Sequence, residues 1–154
     1  LGKTYDKLQT FVPIQDYQID HYKNRFLKYI NPGFIKCVTD ENDELVAFAI
    51  TMPSFSNALK KINGKVDLIG KLRLLHAKNF NHKGSLYLIG VRPDFQNKGV
   101  IAILFNELQK FYNKFGITEV ETNPELIENT AIQQLWKNYE NNQHKNRATF
   151  TKEI

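Results

Sequence analysis

Gln96, Asn97, Lys98, Gly99, Val100 and Ile101 stand where an anion could be held. They follow Leu86-Tyr-Leu-Ile-Gly-Val91, an apolar run that reads as a buried strand, and the bend Val91-Arg-Pro93. After Gly99 the apolar residues Val100, Leu104, Leu108, Phe111 and Phe115 recur at helical spacing, with Asn106, Gln109, Lys110, Asn113 and Lys114 on the other side. A strand that turns through a short polar loop into such a helix leaves the helix's first N–H groups unpaired and aimed into the loop. The positive end of the helix dipole lies behind them. Glycine at position 99 lets a ligand come close to the backbone, so the chemistry expected here is binding of a diphosphate.

Other chemistry-bearing types do not form patterns. Asp40, Asn42 and Glu44 imitate the first ligands of an EF-hand loop. Position six is Leu45 where glycine is needed, and position twelve is Thr51 where a bidentate glutamate is needed, so an acidic hairpin turn is expected instead. His21, His76, His82 and His144 lack metal-ligand spacing, and no metal is expected. Cys37 is the sole cysteine and lies in an apolar run, so it is expected to be a small buried hydrophobe in a reducing, cytoplasmic setting. Between Lys60 and Lys83, seven basic residues face Asp67 alone, so the basic character of the chain is local. A solvated face accounts for such a patch, and neither zinc-finger spacing nor an aromatic RNP-type strand accompanies it; nucleic acid is an unlikely partner.

The elements that must position the loop are legible in outline. Ile19, Tyr22, Phe26 and Ile30 predict an amphipathic helix over 16–30, ended by Asn31-Pro-Gly33. Phe34 to Thr39 and Leu45 to Met52 predict a hairpin. Pro53 breaks the second strand, and helices are expected around Asn57–Ile62 and Leu68–Lys78. Gly116 is placed for a left-handed C-cap, and Ile117 to Glu121 predicts a strand that completes a strand-helix-strand crossover. Asn129 opens a last helix in which Thr130 and Gln133 could form a capping box and Ile132, Leu135, Trp136 and Tyr139 share a face. Ala148 to Ile154 predicts a closing strand.

A chain of 154 residues is long enough for one domain with a substantial core. No apolar run approaches the roughly 18 residues of a membrane span, so a soluble protein without a membrane partner is expected. The N-terminus Leu1-Gly-Lys-Thr4 has neither methionine nor a signal pattern, and the chain reads as a piece of a longer one.

With Val91-Arg-Pro93, then Gln96-Asn-Lys-Gly99-Val-Ile101, the chain resembles the GCN5-related N-acetyltransferases. Their acetyl-CoA motif runs from Val-x-Pro to Gln/Arg-x-x-Gly-x-Gly/Ala and a helix; Ile101 stands at the last small position, followed by Ala102. A second resemblance lies in Asn129, Ala131 and Leu135, followed by Trp136 where the family commonly has tyrosine. The resemblance implies an α/β (α+β) fold with a mixed, mostly antiparallel sheet flanked by helices, forming a single acyl-CoA-binding domain over 1–154. No candidate for the family's first strand precedes Phe34, and the chain is similar to the C-terminal half of longer bacterial acetyltransferase-like proteins, so the remainder of a parent chain is an expected partner.

The implied activity is direct transfer of an acetyl group from acetyl-CoA, as co-substrate, to a primary amine on a small molecule or peptide. Gln96 to Ile101 would hold the diphosphate, with Asn129 as a further binding residue. Ile89 and Val91 would hold the pantetheine arm, and an N–H near Gly90 would face the thioester carbonyl. Glu121 is the candidate base. For the acid that protonates the thiolate, Tyr139 is a better candidate than Trp136, because an indole N–H does not give up a proton and a phenol with pKa near about 10 can. Two rival readings remain: a degenerate CoA-binding module, suggested by Trp136 and Ile101, and a basic nucleic-acid-binding domain, suggested by the lysine patch.

Overall fold

The computed structural model describes residues 13–25 and 30–152. Among them, four strands form one sheet in the order β1-β2-β3-β4. They are β1 (Ile35–Thr39), β2 (Leu45–Pro53), β3 (Lys83–Val91) and β4 (Glu119–Thr122). The helices are α1 (Asp16–Arg25), α2 (Ser56–Ile62), α3 (Leu68–Asn79), α4 (Val100–Phe115) and α5 (Thr130–Trp136). Contacts divide the chain into two compact units, Leu1–Glu121 and Thr122–Ile154.

In the first unit, β2 is the centre of the sheet. It is antiparallel to β1 and to β3, and most of its residues are buried on both faces, which explains its unbroken Val-Ala-Phe-Ala-Ile run. The β2–β3 register slips between Ile50 paired with Leu88 and Thr51 paired with Leu86, so Tyr87 is one residue extra on β3. β4 starts beside β3: the Thr118 and Glu119 amides both donate to the His82 carbonyl, and Lys83 pairs with Glu119 at 2.5 Å. The mixed, mostly antiparallel sheet expected from the sequence is therefore present.

Helix α4 lies against β1 and β2. Leu104 and Leu108 are fully covered, and Val100 and Tyr112 are also buried. The stripe turns at its end: Tyr112 takes the core position and Phe115, expected inside, is exposed. At 3.6 residues per turn a stripe of four-residue steps drifts round the helix, and the aromatic group of Phe34, Phe111 and Phe115 closes the edge instead. Gly33 lies under the Phe111 ring with no room for a side chain, which accounts for glycine in the turn before β1. Burial raises the pKa of the Tyr112 hydroxyl, with Thr51 acting more weakly in the opposite direction.

Several local expectations change. In α1, Ile19 and Tyr22 are exposed; Ile30 lies in a bend, and Phe26 falls outside the described residues. Cys37 is exposed, not buried: side chains alternate along β1, and its neighbour Val38 is the one that packs against the buried cluster. The two helices of the 53–83 segment form as predicted, α3 capped by the Asp67 carboxylate on the Gly70 amide at 2.7 Å. No helix among the described residues is long and apolar enough to cross a membrane.

In the second unit, α5 ends at Trp136. Tyr139 lies beyond it in a turn, its amide donating to the Trp136 carbonyl, and so does not continue the helix face. The Asn141 amide accounts for this ending by donating to the Trp136 and Tyr139 carbonyls at 2.7 and 2.9 Å. No capping box forms: Asn129 is the N-cap without a side-chain bond, and Gln133 reaches back to the Leu126 and Ile127 carbonyls. Residues 148–152 of the predicted last strand are in no regular element, for no strand partner is found for them; 153–154 lie outside the described residues.

Candidate active site

The loop singled out in the sequence lies where β3 passes into α4. Its two ends are anchored by apolar packing: Val91 and Val100 share a buried cluster with Val46 and Ala47, against which Phe95 and Ile101 pack. The Ile101 side chain is thus used for packing, and its backbone N–H, second in α4, has no acceptor within the helix. Pro93–Phe95 forms one turn of 3-10 helix, with the Phe95 amide on the Arg92 carbonyl at 2.9 Å. The Gln96 side chain donates to the Val91 carbonyl at 3.4 Å, so its amide helps to close the loop.

Asn97 and Gly99 are both left-handed, with φ of 60° and 76°. Asparagine and glycine are the residues that adopt this conformation at least cost, which is the physical reason for Asn-Lys-Gly here. A side chain at Gly99 would meet nothing within 4 Å. The glycine is required by backbone conformation, and the space in front of it is open. Among the described residues no acceptor is found for the amides of Asn97, Lys98 and Gly99. Together with the Val100 and Ile101 amides at the start of α4, they make a run of backbone donors at the N-terminal end of a long helix, an arrangement suited to a diphosphate. The residues present therefore fit the diphosphate of CoA.

The remaining candidates divide between the two units. Ile89, Gly90 and Val91 end β3, paired through the antiparallel register with Ala49, Phe48 and Ala47, with Leu88 between them and the Tyr87 bulge. Glu121 lies on β4, the neighbour of β3. Asn129 and Tyr139 belong to the second unit, where Tyr139 is exposed and its ring stands edge-on to Trp136 at 6.2 Å. The Trp136 indole donates to Glu125 at 2.8 Å.

One feature of the loop escaped the sequence. Arg92, the variable residue of Val-x-Pro, sends its guanidinium to three carboxylates: Asp94 at 2.8 Å, Glu44 at 3.0 Å and Asp40 at 3.3 Å. Its Cζ also lies 4.6 Å from the Phe95 ring centroid, while Lys98 Nζ lies 5.2 Å from the same centroid. The Glu44 amide, ahead of all other influences, holds the Asp40 carboxyl below its ordinary pKa, and the Arg92 hydrogen bond does the same for Asp94. The acidic turn expected from Asp40 to Glu44 is thus a docking point for the loop. Its only trace in the sequence was the turn's surplus of carboxylates.

The model of the acetyltransferase (GNAT) family matches residues 4–139. No curated protein matches the chain. Among solved structures, the fold is similar to an aminoglycoside antibiotic 6'-N-acetyltransferase from Acinetobacter haemolyticus, with TM-score 0.57, 14% identity, and coverage of 93% of this chain and 85% of that one. It is also similar to a 6'-N-acetyltransferase of the same kind from Acinetobacter baumannii, with TM-score 0.54, 12% identity and coverage of 94% and 84%. A third is an aminoglycoside acetyltransferase from an uncultured soil metagenomic sample, with TM-score 0.53, 10% identity and coverage of 100% and 84%. At such identities these likenesses speak for the fold, and the family match speaks for the chemistry: the chain belongs to the acetyltransferase (GNAT) family, as an acyl-CoA-dependent N-acetyltransferase.

Proposed function

We propose that the protein moves an acetyl group directly from acetyl-CoA to the primary amine of a small molecule or peptide, with the CoA diphosphate against the backbone of Gln96 to Ile101. The observation that carries this reading is the left-handed Gly99, open on its side-chain face, at the N-terminus of α4. Acetyl-CoA supplies the activated acyl group when bound. The chain's own part is to hold and orient. The backbone of Ile89 to Val91, held in register against β2, lines the pantetheine arm. Glu121 accepts a proton from the attacking amine, directly or through water, and Tyr139 gives one to the departing thiolate. Asn129 adds a contact to the cofactor.

The acceptor class is supported by family chemistry and by the aminoglycosides in the names of the similar structures. A cytoplasmic setting, where a lone thiol such as Cys37 stays reduced, goes with it. The test is CoA release from acetyl-CoA with a panel of primary amines. Release that depends on an amine and is lost in Gly99→Glu supports the proposal; tight CoA binding with no release for any amine favours the second reading, a binding module. That reading draws on Trp136, whose N–H is engaged by Glu125 and cannot serve as an acid.

A further inference from the structure

We propose that Arg92 is a positioning residue for acyl-CoA: by clamping the strand-to-helix loop to the Asp40–Glu44 turn, it sets the amides of Asn97 to Ile101 in the geometry that receives a diphosphate. The inference rests on the assignment of that loop as the diphosphate site.

The loop has little else to hold it. Between the 3-10 turn and α4, the amides of Asn97, Lys98 and Gly99 find no acceptor among the described residues, so the positions of these three are set from the ends. The far end is fixed by Val100 in the apolar cluster. The near end is fixed by Arg92 twice. Its amide donates to the Val46 carbonyl at 2.8 Å, at the point where β2 carries an extra residue against β1. Its side chain, four-fifths covered, spreads Nε to Asp94, Nη1 to Glu44 and Nη2 to Asp40. A planar guanidinium that stays charged at all working pH values and offers donors in fixed directions suits this fan; an ammonium does not.

The receiving turn is itself closed by hydrogen bonds. Asp40 Oδ1 accepts the amides of Asn42 and Glu44, both at 3.0 Å, and the Asp40 amide donates to the Glu44 carbonyl at 2.9 Å. Phe95 carries the constraint onward, with Arg92 and Lys98 both over its ring. Electrostatics acts in the same sense. Asp40, Glu44 and Asp94 converge on one cation, and without it three uncompensated carboxylates would lie at the near end of a loop that is to receive an anion.

The experiment is calorimetric titration of CoA into the full chain carrying Arg92→Ala, Arg92→Lys and Asp94→Asn, each with its melting temperature. Gly99→Glu serves as a site control. Arg92→Ala is expected to weaken CoA about tenfold or more. Arg92→Lys should recover part of the loss, and Asp94→Asn, which removes one arm at an exposed position, should weaken CoA about threefold. These losses should appear at temperatures where each variant is fully folded. Should Arg92→Ala fail to fold, Arg92→Lys and Asp94→Asn decide. CoA affinities within twofold of the parent in the folded variants, with Gly99→Glu blocking CoA, would overturn the clamp alone. Unchanged affinity in Gly99→Glu would overturn the site itself, and the clamp with it.

Discussion

Replacing Gly99 by glutamate perturbs two separable quantities. At φ 76° and ψ 1° the residue is left-handed, where a β-carbon costs about 1–2 kcal/mol. Because a Cβ there meets nothing within 4 Å, no clash adds to that cost in the free protein. For a domain of this size the strain should lower the melting temperature by about 2–8 °C. Gly99→Ala carries the same strain without charge and should show the same shift. CoA distinguishes the two variants. A carboxylate about 5 Å from a diphosphate carrying two charges is opposed by about 2 kcal/mol in a fully aqueous setting and by about 7 kcal/mol at an effective dielectric constant near 20. Even the lower figure weakens CoA about 20-fold or more. The electrostatic part should shrink as salt is raised, since exposed charges are screened within about 10 Å at 0.1 M. Calorimetric titration of CoA into parent, Gly99→Ala and Gly99→Glu at two salt concentrations measures it. A folded Gly99→Glu that binds CoA within twofold of the parent would show that the diphosphate sits elsewhere.

Three further outcomes are expected. Leu108→Ala empties a fully covered site beneath the sheet and should cost about 2–5 kcal/mol in urea unfolding; a loss below about 1 kcal/mol would contradict the packing of α4 on β1 and β2. Tyr139→Phe keeps the ring beside Trp136 and removes only the hydroxyl, so turnover should fall strongly with CoA affinity unchanged, and full activity would dismiss Tyr139 as the acid. Asp40 and Asp94 have depressed pKa values in the folded chain, so their contribution is present above the unfolded value near about 4 and is lost as pH falls through the lower folded values. Stability should drop below about pH 4, and an NMR titration placing either carboxyl at or above 3.8 would refute the clamp's electrostatics.

Repeating local patterns were legible without the structure. Helical spacing from Val100 onward, Gly116 at the C-cap with φ 70°, the hairpin turn, and the strand-loop-helix around Gly99 all depend on neighbours in sequence, and all are present. The family resemblance rested on that stretch and on the order of Asn129, Ala131 and Leu135 after it. Tertiary structure decided what local pattern cannot encode. Cys37 is exposed because the alternation along β1 gives the packed side to Val38. Helix α5 stops at Trp136, where a side chain five residues on takes up its carbonyl, and Tyr139 leaves the face its spacing suggested. Ile101 reads as an intruder at a small-residue position, yet packs beneath the loop because Val46 and Val91 come together there. Arg92 lies 52 residues from Asp40 and 48 from Glu44, a pairing created only when β2 lays the hairpin turn beside the end of β3. Backbone preference and side-chain period act over a few residues and can be read from order alone; charge pairing and burial act through space and exist only once the chain has folded.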